Sequence, residues 1–317
     1  MRLSSLLAGA TLAFATTSQA LNILLNNDDG FGSANLREVY RLLKKDGHDV
    51  WIVAPALPQS GQGGRSEFTQ YANLTGPSQY NIIPAGEPSV GPDPIDSHIW
   101  YYNGTPAACT FVALDYVLPR FADFKVPDLV VTGPNYGTNL GPFVWTLSGT
   151  AGAAYAATHR SIPAIALSAS NKATPYFDIH NETNPATWAA EVGVKVVNTR
   201  TQGRASFAPW IRLNVNIPEL KGNHSDLKYV QTRMTGNAHV NEAVLDAEKG
   251  TFDWANIKPY AAGVNTCVNG DCSLEGETYV VENGAVSISI YIVDYTAPST
   301  RSTQGIMQRI KPLAPLE

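Results

Sequence analysis

Short runs of consecutive apolar residues, each ending abruptly in a loop of Asn, Asp, Gly or Pro, set the tightest limit on how this chain can fold. Leu21-Asn22-Ile23-Leu24-Leu25 runs into Asn26-Asn27-Asp28-Asp29-Gly30, and Asp49-Val50-Trp51-Ile52-Val53-Ala54 stops at Pro55. Asp128-Leu129-Val130-Val131-Thr132 opens into Gly133-Pro134-Asn135, and Ala164-Ile165-Ala166-Leu167-Ser168 follows. A strand with one face in water alternates apolar and polar residues, whereas these runs are apolar throughout, which a strand needs only when both its faces are covered. Helical spacing fills the gaps between them. Leu36, Val39, Tyr40, Leu42 and Leu43 recur between Ser33, an available N-cap, and Lys45, with Gly47 beyond the end. Pro106 to Tyr116, the Ala-rich Gly149 to His159, and Ala186 to Thr199 also read as helices, and Ile99 to Tyr102 as extended chain. The expected fold is therefore α/β, with a mostly parallel sheet flanked by helices.

The last third has a different texture. Ile211 to Val215, Tyr229 to Gln231, Thr278 to Val281 and Val286 to Ile290 are strand-like with few helices between them, which predicts added strands and a protruding C-terminal β-hairpin. No internal repeat or long linker interrupts the chain, so residues 21–317 are expected to form a single domain, with a core over about 21–220 and a strand-rich extension over about 221–317. With 44% hydrophobic and 15% charged residues the chain can fill a core, and its formal net charge of −5 offers no basic field for a nucleic-acid duplex or an anionic membrane.

Residues 1–20 read as a secretory signal peptide: Arg2, the apolar Leu6 to Ala15, then Ser18-Gln19-Ala20 before a mature start at Leu21. Export predicts a secreted or secretory-pathway protein, extracellular or vacuolar. There, Cys267 and Cys272, separated by Val-Asn-Gly-Asp, are expected to form a small local disulfide rather than a metal pair, and Cys109 to pack as a small hydrophobe. The sequons at Asn73, Asn103, Asn181 and Asn223 become candidate glycan sites.

Ligands of open parallel sheets bind beyond the carboxyl ends of the strands, so the chemistry should lie in the loops that leave them. The first such loop carries Asp28 and Asp29, the second runs from Pro55 to Ser60 and into Gly61-Gln62-Gly63-Gly64, and the third holds Asn135 and Asn139 within Gly133 to Gly141. Adjacent carboxylates with hydroxyl and amide oxygens make a hard oxygen set suited to Mg²⁺, Mn²⁺ or Ca²⁺. Ser148-Gly149-Thr150 opens the Ala-rich helix, whose first N–H groups and dipole favour a phosphate. The histidines show no metal-ligand spacing. Tyr136, Trp145 and Tyr101 are candidates for stacking on a nucleobase.

Together, Asn27-Asp28-Asp29-Gly30, Ala54-Pro55 with Ser60-Gly61, Gly104-Thr105-Pro106, Gly133-x-Asn135-x-Gly137-x-Asn139-Leu140-Gly141 and Ser148-Gly149-Thr150 resemble the SurE family of metal-dependent phosphatases and nucleotidases. The match runs from about Leu21 to Ser168, with weaker echoes in Leu213 to Pro218, Thr232-Arg233 and Gly284 to Ser289. The leader and sequons resemble a secreted fungal type described as an acid phosphatase. The resemblance implies a Rossmann-like core and hydrolysis of phosphate monoesters such as nucleoside monophosphates, that is, a 5′- or 3′-nucleotidase or acid phosphatase. It implies a divalent metal, Mg²⁺ or Mn²⁺, on Asp28, Asp29, Ser60 and Asn135. It also implies phosphate contacts from Asn139, Ser148, Gly149 and Thr150, with Asn27 beside them. Assembly as a homodimer or homotetramer through an exchanged hairpin is implied as well, and Thr278 to Tyr295 is the candidate segment. Ala108 departs from the bacterial pattern, which has Asp there. No Asp-x-Asp-x-Thr/Val, Gly-x-Ser-x-Gly or P-loop signature offers a rival route. The alternatives are an exopolyphosphatase or a non-catalytic secreted binding protein that keeps the fold.

Overall fold

The computed structural model describes residues 20–199, 208–222, 224–256 and 262–313; the expected leader up to residue 19 and the sequon Asn223 lie outside them. The chain begins with β1 (Asn22–Asn26), α1 (Ala34–Lys45), β2 (Asp49–Pro55), β3 (Val90–Pro92), β4 (Ile99–Tyr102), α2 (Pro106–Val112), α3 (Leu118–Phe121) and β5 (Leu129–Tyr136). It continues through α4 (Gly141–Leu147), α5 (Gly149–His159), β6 (Ala164–Ala169), α6 (Pro185–Thr199) and β7 (Ile211–Ile217). The tail holds β8 (Tyr229–Thr232), β9 (Asn241–Asp246), β10 (Thr251–Asn256), α7 (Ala262–Asn265), α8 (Glu277–Glu282), β11 (Val286–Ile292) and α9 (Arg301–Ile310).

A nine-stranded sheet of order β3-β4-β2-β1-β5-β6-β7-β11-β8 forms the middle layer. The six strands from β4 to β7 are parallel, and β3 and β11 pair antiparallel to their neighbours β4 and β7. Side chains alternate across a strand, so Ile23 and Leu25 of β1 point to the layer containing α1 and α6, and Leu24 to the layer containing α5. Both layers are apolar, which is why β1 reads as a continuous apolar run; burying each such side chain contributes about 1.5–3 kcal/mol. The Ala-rich composition of α5 permits close approach. A Cβ on Gly152 would stand 1.8 Å from the Gly63 carbonyl oxygen, so any larger residue there would push the glycine-rich loop away.

The chain leaves β1 toward β2 on one side and later returns to β5 on the other, so the strand order reverses between β1 and β5. Such a switch point opens a crevice at the carboxyl ends of the two strands, and both candidate loops emerge there.

The tail departs from its expected form. Thr278 to Val281 is helical, part of α8, and β11 lies inside the main sheet, so the segment Thr278 to Tyr295 is not a protruding hairpin. The β-branched run reads as extended, but Glu277, Thr278, Val280 and Val281 are buried while Tyr279 is exposed, a helical rather than an alternating pattern, and tertiary packing overrides the local propensity. The hairpin is instead β9–β10, in antiparallel register. At α1, Ser33 occupies the N-cap position without capping, because its hydroxyl accepts a bond from Asn27 Nδ2 at 2.8 Å.

Candidate functional site

Asn27 shapes the loop after β1. Its Oδ1 accepts from Gly30 N at 3.1 Å, and its Nδ2 donates to the Gly30 carbonyl at 3.1 Å and to Ser33 Oγ. Gly30 closes the turn at φ +103, and a Cβ there would collide with the Gln79 side chain. Fully buried with its amide spent locally, Asn27 holds the turn. The turn presents Asp28 and Asp29. Asp28 is buried at the start of α5, where Thr150 Oγ1 donates to its Oδ1 at 2.5 Å. Burial pushes the Asp28 carboxyl above its usual range, opposed by the Thr150 hydroxyl and by the backbone amides of Asp28, Thr150 and Gly149. Asp29 Oδ2 accepts from Tyr136 N at 3.0 Å, and burial together with the neighbouring Asp28 charge drives its carboxyl well up.

Other elements close around this pair. Gln59 N donates to the Asp28 carbonyl at 2.7 Å, which pins the loop after β2, with the exposed Ser60 next along the chain. Asn135 turns its Nδ2 onto the carbonyls of Tyr136 and Gly137 at 3.1 and 2.9 Å, leaving the acceptor Oδ1 to offer. Gly149 has no Cβ; one placed there would stand 2.8 Å from Asp28 Cβ. Ser148 caps α5 by accepting from Ala151 N at 3.1 Å. Asn139 donates from Nδ2 to Ser168 Oγ at 2.8 Å and from its backbone N to Asn216 Oδ1 at 2.7 Å. Thr150 is fully buried, its hydroxyl on Asp28 and its carbonyl accepting from Thr132 Oγ1 at 2.9 Å. Its hydroxyl therefore holds Asp28.

The sequence model of the family described as "Survival protein SurE" matches residues 23–241. A relative from Yarrowia lipolytica named acid phosphatase is 40% identical over 296 residues, covering 89% of this chain and 82% of its own. A Sorangium cellulosum protein named 5′-nucleotidase SurE is 31% identical, over 90% and 95% of the two chains. The crystal structure of the SurE protein from Aquifex aeolicus superposes with a TM-score of 0.62 at 26% identity, covering 92% of this chain and 98% of that one. The chain belongs to the SurE family.

Within this SurE fold Asp28 meets Gly149 and Thr150 directly, Asp29 and Ser148 adjoin them in the chain, and chain neighbours tie Ser60 and Asn135 to the acids through Gln59 and Tyr136. Among the described residues no group of three or more His, Cys, Asp and Glu is placed to hold a metal, so a cation would rest on two carboxylates and neutral oxygens. That set suits a hard divalent ion, and no Lys, Arg or His of the described residues pairs with either acid.

Of the stacking candidates, Tyr101 and Trp145 are buried, and Tyr136 has its hydroxyl tied between Ala34 N and the Thr174 carbonyl. The sequence reading missed Tyr80, part-exposed with φ 56, whose ring meets half-exposed Phe177 edge-on at 6.1 Å and whose phenol feels the Asp29 charge. It also missed Gln79, which donates to the Asp29 carbonyl at 2.5 Å, and Glu277, which accepts the Gly141 N–H at 2.8 Å. An isolated Tyr or Glu in a polar stretch carries no local pattern. The two consecutive aromatics Tyr176-Phe177 were the one available signal.

Proposed function

We propose that this SurE chain is a metal-dependent phosphomonoester hydrolase that releases inorganic phosphate from nucleoside monophosphates and related monoesters. The observation that carries the reading is a pair of adjacent, desolvated carboxylates without a cationic partner, set at the N-terminus of α5 on the topological switch point. The names of the Yarrowia and Sorangium relatives support it.

Asp28, Asp29, Ser60 and Asn135 would hold Mg²⁺ or Mn²⁺, which when bound supplies neutralisation of the carboxylate pair and Lewis-acid polarisation of a phosphate oxygen. Asn139, through its remaining amide N–H, and Ser148, through its hydroxyl, orient the phosphate. Gly149 lets it approach closely because nothing projects from its Cα. Asp29 is the carboxylate with an oxygen free to take a proton from the attacking water, Oδ1, since Oδ2 already accepts from Tyr136 N. Tyr80 and Phe177 form an aromatic wall beside Asp29 that suits a nucleoside leaving group.

Of the two alternatives, polyphosphate hydrolysis is disfavoured because Arg65, the cation nearest the glycine-rich loop, is paired with Glu67. A non-catalytic binder would not need the complete donor set. Secretion and homo-oligomeric assembly belong to the same proposal. Asn73 and Asn181 are exposed, as glycan acceptors must be, and Phe252 and Trp254 on the β9–β10 hairpin stand 69% and 68% exposed, an apolar face that a second copy would cover. The test is phosphate release from 5′- and 3′-nucleotides, p-nitrophenyl phosphate, β-glycerophosphate and polyphosphate, with Mg²⁺, Mn²⁺ or EDTA. Release that EDTA abolishes and that favours nucleotides is expected. Folded protein releasing none would overturn the assignment.

A further inference from the structure

Glu277 opens α8, fully buried and 136 residues along the chain from Gly141, yet its Oε1 accepts the Gly141 N–H at 2.8 Å. Its Oε2 accepts from Ser289 Oγ at 2.7 Å, Tyr291 OH at 3.0 Å and Asn214 Nδ2 at 3.2 Å. Donors from α4, β7 and β11 thus converge on one carboxylate. The same Asn214 Nδ2 reaches the Asn139 carbonyl at 3.0 Å, and neighbouring Asn216 accepts the Asn139 N–H at 2.7 Å. The brace therefore grips the chain on both sides of Leu140. Further along α4, Trp145 is wedged between Tyr291, at 4.6 Å, and the Arg212 guanidinium, at 5.3 Å. Gly141, at φ +80, packs with no room to spare: a Cβ would stand 3.0 Å from that of Ala238.

We infer that Glu277 is a positioning residue of the phosphate site, fixing the Asn139–Gly141 backbone, and with it the placement of Asn139 relative to Ser148 and Asp28, from the far end of the chain. The inference rests on the proposed phosphatase reading. A buried carboxylate is a poor device for stability alone, since apolar residues of the same volume commonly stabilise as well or better. What a carboxylate with both oxygens hydrogen-bonded adds is one defined geometry, and here that geometry is the loop carrying Asn139.

The brace is also sensitive to protons. Burial pushes the Glu277 carboxyl up to about 7, against the pull of its Ser289, Gly141, Tyr291 and Asn214 donors. On β11 the facing titratable group is Tyr291, and α4 and β7 present the neutral Gly141 and Asn214. Arg233 gives Glu277 N only its carbonyl and turns its guanidinium to the Leu274 carbonyl and Thr235. Arg212 stacks on the Trp145 ring, and Glu282 of α8 pairs with His239. Four donors suit the ionised form, so the loop is held most firmly when Glu277 is charged.

Two variants test this. Glu277→Gln keeps the shape but replaces an acceptor with a donor. Its kcat/KM should fall roughly 10- to 100-fold, the scale of a small misplacement, and the KM step expected near pH 7 in the wild type should vanish. Tyr291→Phe keeps the carboxylate and removes one donor, so it should move that step to higher pH. Hydrogen exchange of the peptide spanning 139–148, corrected for intrinsic rates, reads the brace without turnover: it should quicken in Glu277→Gln, and in the wild type as pH falls through the step. A folded Glu277→Gln with wild-type constants, pH profile and exchange would overturn the inference, as would an unmoved step in Tyr291→Phe. If Glu277→Gln does not fold, Tyr291→Phe and wild-type exchange decide it. Wild-type inactivity on every monoester would strike the phosphatase reading alone, because the exchange measurement stands apart from it.

Discussion

The sheet changes character between β6 and β7. In β1, β2, β5 and β6 the buried faces are mostly apolar on both sides, and the buried polar residues, such as Asn26, Thr132 and Ser168, sit toward the carboxyl ends of the strands. In β7 and β11 one face stays apolar, with Leu213, Val215, Ile217 and Val286, while the other presents Arg212, Asn214 and Asn216 opposite Tyr291, Ser289 and Ser287, mostly buried. The second kind of face costs stability: among the described residues Arg212 Nε and Nη1, Asn214 Oδ1 and Ser287 Oγ are buried without a hydrogen-bond partner. The division is one of labour. The apolar half gives a rigid frame and projects the acids, and the tail supplies polar groups that hold the Asn139–Gly141 loop against that frame.

If the acids carry the chemistry, Asp28→Asn should have the largest effect of any single substitution. Loss of a charge-bearing group at the reacting centre is expected to lower kcat by roughly 10²- to 10³-fold or more. Stability should move the other way. The Asp28 carboxyl is raised above its ordinary 3.8, so the folded state holds a proton that the unfolded state releases. That contribution is complete below pH 3.8 and is lost as pH rises through the folded value. Metal-free wild type should therefore lose Tm as pH rises, Asp28→Asn should show a flatter profile, and Mg²⁺ or Mn²⁺ should restore the wild type at neutral pH. At this chain length each kcal/mol moves Tm by about 2–4 °C. Undiminished turnover in Asp28→Asn would break the division described above.

Thr150→Val should have an intermediate effect and would sharpen the comparison. The substitution keeps volume but removes the hydroxyl that donates to Asp28 Oδ1 at 2.5 Å. Losing a charge-assisted bond costs about 1.5–3 kcal/mol, and if half of this appears at the transition state kcat/KM falls about 10-fold or less. Thr150→Ser, which keeps the donor, should recover most of it. Equal kcat/KM in Val and Ser variants would show that the hydroxyl does not position Asp28.

The same division explains what could be read from the chain. β1, β2, β5 and β6 were legible because burial on both faces leaves an uninterrupted apolar run, Asp28, Asp29 and Asn135 because they follow directly from those runs, and Ser148 because it opens the Ala-rich helix. Glu277 was not legible: its meaning lies in Gly141, 136 residues away, and nothing near it in the sequence is patterned. Asn214 and Asn216 stood in plain view within Leu213-Asn214-Val215-Asn216, but alternation alone assigns such residues to solvent, whereas β11 and the Asn139 loop bury them. Thr278 to Val281 misled for the opposite reason, since β-branched residues suit a strand locally and the α8 contacts outweigh that preference. β9 and β10 escaped notice because their residues are half-buried or exposed on both sides, without the alternation a hairpin usually shows.

The smallest effect is expected at the edge of the tail. The Cys267–Cys272 disulfide closes a loop of sequence separation 5 on a largely exposed surface. Constraining so short a loop removes little unfolded-chain entropy, at most about 2 kcal/mol in the chain-entropy account. The loop does, however, precede Leu274 and Glu275, whose carbonyls anchor Arg233 just before Glu277. Cys267→Ser with Cys272→Ser should therefore lower Tm slightly and leave kcat unchanged, measured by thermal unfolding and phosphate release. A marked loss of turnover with Tm preserved would extend the brace outward from Glu277 to the disulfide loop, and would place more of the tail in the catalytic half's service than the buried contacts alone indicate.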